Sequence, residues 1–176
     1  MLLRCTASLL KLLGYKPGRD GAHYEPTGPL EEWYANLLWL ERRKCILFTN
    51  AQTLYSCVAL DVRKAQLANL LQFFGATLAP VMLADGFTRD QVRQVLHSLG
   101  DLHLDRTASR SILGCMNDFT RAIQYRVDDL GLQYSDAVEL GVRCNDTPIG
   151  GPNYKWPARE LRALLANQRT SVTPES

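Results

Sequence analysis

The chain is 176 residues long, 46% hydrophobic and 22% charged, with 20 basic and 18 acidic residues for a formal net charge of +2. That length suits one domain with its own apolar core. The near balance of charge excludes a whole-chain electrostatic case for nucleic acid or an acidic membrane, and leaves room only for a local basic patch.

Residues 1–6 read as a short opening strand, and Thr6 or Ser8 caps a small helix ending at Leu13. Arg4 and Lys11 interrupt this N-terminal apolar run and Gly14 ends it, so it reads as no targeting segment. No later stretch approaches the ~20 apolar residues of a membrane helix. Residues 14–30 hold Gly14, Pro17, Gly18, Gly21, Pro26, Gly28 and Pro29, the composition of a long loop.

The clearest local pattern spans residues 33–50. Trp33, Ala35, Leu37 and Trp39 alternate with Tyr34, Asn36, Leu38 and Leu40, a period of two with aromatic enrichment. Charged residues 41–44 make the hairpin tip, residues 45–49 return as a second strand, and residues 53–60 form a third after a turn at Asn50. The expected result is an antiparallel meander.

The period then switches. Leu67, Leu70, Leu71, Phe74, Leu78, Val81 and Met82 fall at helical spacing within residues 62–84, with Pro80 a site of kinking or division. Thr88 caps a helix over residues 89–99 that Gly100 ends. Residues 102–106 read as a strand continuing through 111–115. Asn117 or Asp118 then caps a helix over 119–130, and Ser135 caps another over 136–144. Pro157 opens a final helix over 158–167.

Strands early and helices late give an α+β fold: an antiparallel sheet of about four or five strands (the meander 33–60 plus 1–6 and 102–115) packed against several helices. Residues 1–169 form a single domain, and 170–176 a frayed tail. Core candidates are Leu37, Trp39, Ile46, Phe48, Val58, Leu67, Leu71, Phe74, Val95 and Ile123.

Chemistry concentrates in residues 106–119. Arg106 and Arg110 could grip a phosphate or carboxylate, with Ser109, Ser111, exposed N–H groups near Gly114 and the start of a helix after Asn117. The plainer alternative is a strand, a turn at Gly114 and an Asn/Asp helix cap. A second set joins Trp33, Tyr34, Asn36 and Trp39 to Arg42, Arg43 and Lys44, aromatics that could stack bases beside cations that hold a backbone. Its plainer alternative is a buried sheet face beside a solvated turn. A third set, Thr49, Asn50, Thr53, Tyr55 and Ser56, could line a polar mouth, although Asn50 is also a natural turn former.

The five cysteines, Cys5, Cys45, Cys57, Cys115 and Cys144, are odd in number and lack Cys-x-x-Cys spacing, which argues for a reducing cytoplasm. His23, His97 and His103 have no second metal ligand at a recognised spacing. Sequence distance neither supports nor excludes a Cys115–His103 nucleophile pair. No phosphate loop, dinucleotide fingerprint or nucleophile elbow is present.

Several motifs together resemble the bacterial family named domain of unknown function 6933. They are Leu3-Arg4-Cys5-Thr6, Trp33-Tyr34-Ala35-Asn36-Leu37, the run from Arg43 through Asn50, and Thr53-Leu54-Tyr55-Ser56. Further on come Arg110-Ser111-Ile112-Leu113-Gly114 and Met116-Asn117-Asp118, with a weaker echo from Thr147-Pro148 to Pro157. The family pattern more often has serine where this chain has Cys115. The resemblance implies one domain and assigns no activity, cofactor or catalytic residue.

The leading expectation is a small cytoplasmic binding or regulatory domain for an anionic ligand, either nucleic acid or an acidic protein surface. Arg4, Arg43, Lys44, Arg106 and Arg110 would neutralise charge, and Asn36, Asn50, Ser111 and Asn117 would orient the ligand. One alternative is a ribonuclease-like or toxin-like enzyme, with Arg110 stabilising charge and Asp118 or His103 moving a proton. Another is a protein–protein adaptor or inhibitor anchored by an exposed Trp33 or Tyr34. No cofactor, metal or membrane partner is expected, and the oligomeric state stays open.

Overall fold

The structure, a computed structural model, describes residues 1–15, 24–150 and 154–170. Its elements run β1 (Leu2–Cys5), α1 (Ala7–Leu13), β2 (Glu32–Leu40), β3 (Arg43–Asn50), β4 (Ser56–Ala59), α2 (Lys64–Leu67) and α3 (Leu70–Ala84). They continue with α4 (Arg89–Ser98), β5 (His103–Arg106), α5 (Arg110–Leu130), a short 3-10 turn (Leu132–Tyr134), α6 (Ala137–Asn145) and α7 (Pro157–Thr170). Residues 16–23 of the expected 14–30 loop, with His23, and the tail beyond Thr170 lie outside the described residues.

The class is α+β, but the sheet is mixed and not antiparallel throughout. Strand order is β4-β3-β2-β1-β5. The expected meander β2-β3-β4 is antiparallel, with Trp39 opposite Lys44 and Phe48 opposite Ala35 and Cys57. β1 instead runs parallel to β2 on one side and to β5 on the other. The reason is connectivity: α1 carries the chain back along the sheet before β2 begins, and such a crossover returns a strand parallel to its predecessor.

Both faces of the sheet are covered. Leu3, Trp33, Ile46, Phe48 and Cys57 pack with residues of α1, α3, α4 and α7, among them Leu9, Phe74, Val95 and Leu161. On the other face Tyr34, Leu38, Leu47 and Val58 meet Met116, Phe119, Ile123 and Val127 of α5. Hence residues 45–50 of β3 are buried without interruption, the pattern of a strand enclosed on two sides. Trp39, expected in the core, is 58% exposed, because the layer formed by α1 and α2 stops short of it.

The largest departure concerns residues 111–115, which are helix and not strand. The Ser109 side chain caps α5 by accepting from Ile112 N at 3.3 Å. Cys115, Met116, Phe119, Ile123 and Val127 then form its buried stripe. Asn117 and Asp118 therefore ride on the solvent side in mid-helix and cap nothing. Three smaller shifts follow the same logic of local hydrogen bonding. The third strand is confined to β4, since Leu54 turns at φ 61. The long helical stretch divides at Asn69, which accepts from Gln72 N, while Pro80 stays inside α3. Asp136 rather than Ser135 caps α6 through Val138 N. The Thr88 cap of α4, with its Gln91 capping box, is as expected.

Candidate functional site

β1 and β5 are neighbouring parallel strands, yet the helices that follow them leave to opposite faces. α1 packs on the face that carries Trp33, and α5 on the face that carries Tyr34. Adjacent parallel strands whose connections diverge open a crevice at their carboxyl ends, the usual ligand position in parallel sheets. A cleft of about 620 Å³ occupies that place, lined by Cys5, Ala7, Leu10, Lys11, Gly14, Tyr15, Arg106 and Thr107.

The charges around it divide into committed and uncommitted groups. Arg4 is committed: its Nε donates to Glu32 at 2.5 Å, and its Nη1 to Asp105 at 3.1 Å and to the Arg106 carbonyl at 3.3 Å. It ties β1 to both parallel neighbours. Lys11, Arg106 and Arg110 are exposed and enter no ion pair among the described residues. α5 begins four residues after Arg106, at the same end of the sheet, so its first N–H groups add a partial positive charge there. Its start is pinned to the sheet by Ser109 N, which donates to the Tyr34 hydroxyl at 3.2 Å. Burial, and after it the neighbouring Glu32, raise the Tyr34 phenol above its ordinary range, so it stays a neutral acceptor.

Of the residues singled out by sequence, Arg106 lines this crevice, Arg110 and Ser111 open α5 at the same end of the sheet, and Arg4 donates to the Arg106 carbonyl. The others do not join them. Asn50 lies at the opposite end of β2, opposite Trp33, and is fully buried. Its Oδ1 accepts from Gln52 N, Thr53 N and Thr53 Oγ1, and its Nδ2 donates to the Pro29 and Glu32 carbonyls. It is a turn staple with no capacity left for a ligand. Asn36 is half-buried on β2, and Asn117 is exposed on α5. Arg43 faces Asp61 at 3.4 Å, and Lys44 lies 5.7 Å from the centre of the Trp39 ring.

The groups of the catalytic alternative are also apart. His103 opens β5, about 10 Å of strand away from Arg106, and stacks on Tyr24. Asp118 lies about 12 Å along α5 from Arg110 and pairs with Arg121 at 2.9 Å. Cys115 sits in the α5 core cluster away from His103, and burial pushes its thiol up. Cys5, in the crevice wall, is pushed up to about 12 by burial, which removes it as a nucleophile at neutral pH. Trp33 and Tyr34 are both buried, and Trp33 Nε1 donates to the Leu30 carbonyl at 2.8 Å. The adaptor alternative thereby loses both of its anchors.

Sequence reasoning passed over Lys11 and Tyr15. Lys11 stood out only as an interruption of an apolar run. Its helical relation to Ala7, four residues before it, and to Gly14, three after it, was the available signal. Among the described residues, no group of His, Cys, Asp and Glu side chains could hold a metal ion, and no helix is long and apolar enough to cross a membrane.

A family model described as domain of unknown function (DUF6933) matches residues 2–160. The chain belongs to this family. No curated protein and no solved structure matches it. The DUF6933 match takes in all five strands and both walls of the crevice, so the site lies within the family's own domain.

Proposed function

We propose that this protein is a binding domain for a phosphate-bearing anion, held in the crevice at the carboxyl ends of β1 and β5. One observation carries the reading: Lys11 and Arg106, two cations outside any ion pair of the described residues, line a concave cleft where the helices after neighbouring parallel strands diverge. Arg110, the Thr107 and Ser111 hydroxyls and the start of α5 add donors at the same end. Guanidinium forks match phosphate geometry, and a cleft of about 620 Å³ admits a nucleotide-sized group more readily than a flat acidic protein surface. The role is binding or regulation in the cytoplasm without catalysis. Five buried free thiols suit a reducing compartment.

The test is a titration of inorganic phosphate and adenosine monophosphate into isotope-labelled protein, followed by amide shifts. Saturable shifts at residues 106–111 and at Lys11 are expected. The Arg106→Ala/Arg110→Ala variant should weaken them about tenfold or more, the scale of losing charge-assisted hydrogen bonds. No shifts at these amides, or shifts that the double variant leaves unchanged, would overturn the reading.

A further inference from the structure

Trp39 is the most exposed of the three tryptophans, with the Lys44 ammonium 5.7 Å from its ring centre. Trp33 is buried in the core, and Trp156 lies beneath the Arg159 guanidinium, 4.5 Å from its centre. Trp39 leaves 58% of its surface in solvent, on a strand whose neighbours Leu38 and Leu40 are buried. It forms one wall of a second cleft, of about 540 Å³, with Lys11, Lys44 and Lys64 around it and Leu12 and Leu37 among its apolar lining.

The two clefts are joined by one residue. Ala7, Lys11 and Gly14 on one flank of α1 line the crevice, while Ser8, Lys11 and Leu12 on the adjoining flank line the Trp39 cleft. Lys11 belongs to both because its position is shared by the i+4 and i+3 rows of the helix. Register gives the span. Cys5, at the end of β1, pairs with Ala35 of β2, and Trp39 lies four residues further on, about 13 Å along the strand. A track thus runs from Arg106 and Thr107, past Tyr15 and Lys11, to Lys44, Lys64 and the indole. Among the described residues that line its two clefts there is no carboxylate.

We infer that the ligand of the crevice is a single-stranded nucleic acid, which continues over α1 and stacks a base on Trp39. This rests on the phosphate-binding reading of the crevice and names the ligand class for it. Two features select the strand. Spaced cations without carboxylates match a phosphate backbone, and an exposed ring beside them matches a base. A duplex hides the faces of its bases in its own stack, so it offers Trp39 no partner. An acidic peptide would satisfy the lysines and leave the indole in water.

The experiment measures anisotropy of fluorescein-labelled oligothymidylate and oligouridylate of about 12 nucleotides, a length that covers typical single-strand sites. A DNA duplex and an oligoglutamate of matched charge are run beside them, from low to high salt. Both single strands, or one of them, should bind best, with affinity falling as salt rises. Comparison of the two distinguishes RNA from DNA. Trp39→Ala should weaken binding about tenfold, and Trp39→Phe should recover part of the loss because the stacking face is retained. Since the ring is exposed, both variants should unfold at the wild-type temperature. Preference for the duplex or the oligoglutamate would overturn the inference, as would unchanged binding by Trp39→Ala. If Trp39→Ala changes nothing while phosphate still shifts the crevice amides, the inference falls and the crevice reading stands. If Trp39→Ala weakens the strand but Arg106→Ala/Arg110→Ala does not, the platform stands and the crevice reading falls.

Discussion

The Tyr55 hydroxyl donates to Asp85 Oδ2 at 2.5 Å, joining the chain just before β4 to the end of α3. Asn145 Nδ2, at the end of α6, donates to the same oxygen at 3.0 Å, while the Asn145 amide also bonds Ser56 N and the Ser56 carbonyl. Three elements meet at one carboxylate. Burial outweighs these two hydrogen bonds and raises the Asp85 carboxyl above its ordinary range.

That shift has a definite consequence for stability. The native state takes up a proton at Asp85 more readily than the unfolded chain, whose value is about 3.9. The linked contribution is therefore present at acid pH and is lost as pH rises through the raised native value. Asp85→Asn, which does not titrate, should remove this part of the slope. Urea midpoints of both proteins, compared stepwise from acid to neutral pH, should diverge in wild type's disfavour as pH climbs. A constant difference would refute the assignment. Tyr55→Phe should cost about 1–2 kcal/mol and raise the Asp85 carboxyl further, since it removes one bond to the charged form.

Gly141 of α6 packs directly against Val81 of α3. A Cβ there would lie 2.9 Å from both methyl carbons of Val81, a buried residue. Gly141→Ala should destabilise the protein by about 1–3 kcal/mol through overpacking. Val81→Ala in the same chain should recover part of that loss, giving a coupling energy in a double-mutant cycle. Independent, additive effects would show that the helices separate freely.

The β2–β3 turn is built from Glu41 and Arg42, with φ of 44° and 63°. Two-residue hairpins with both central residues at positive φ favour glycine, and here arginine carries the strain. Arg42→Gly should stabilise the protein by about 1 kcal/mol, read as a higher thermal midpoint. Glu41 should be left in place, because its Oε1 accepts from Leu132 N at 3.0 Å.

All five cysteines are free and buried, and burial pushes every thiol up: Cys5 and Cys144 to about 12, Cys57 higher still, Cys45 and Cys115 less far. The native protein should therefore react slowly with a disulfide reagent at neutral pH, and all five thiols should react once urea is added. Rapid labelling of one thiol in the folded protein would point to an opening that exposes it.

How far the sequence reaches can be seen at particular residues. The alternation at 33–40, the return at 45–49 and the Thr88 cap are local signals, and the corresponding elements formed where expected. Residues 111–115 misled because Ile112, Leu113 and Cys115 make a short apolar run that fits a strand or a helix equally well. The Ser109 cap and the core beneath α5 decided between them. Trp39 misled for a related reason: alternation tells which face a side chain takes, but not how far the covering layer extends.

The sequence by itself determined the period of each segment, the antiparallel hairpins that short turns enforce, and the clustering of arginines near residue 110, because these depend on neighbours in the chain. Only the tertiary structure decided that β1 lies parallel between β2 and β5, that α1 and α5 leave to opposite faces, and that Lys11 joins Arg106 to Trp39. Those relations depend on which apolar face each helix covers, and that choice is made by packing between segments up to a hundred residues apart.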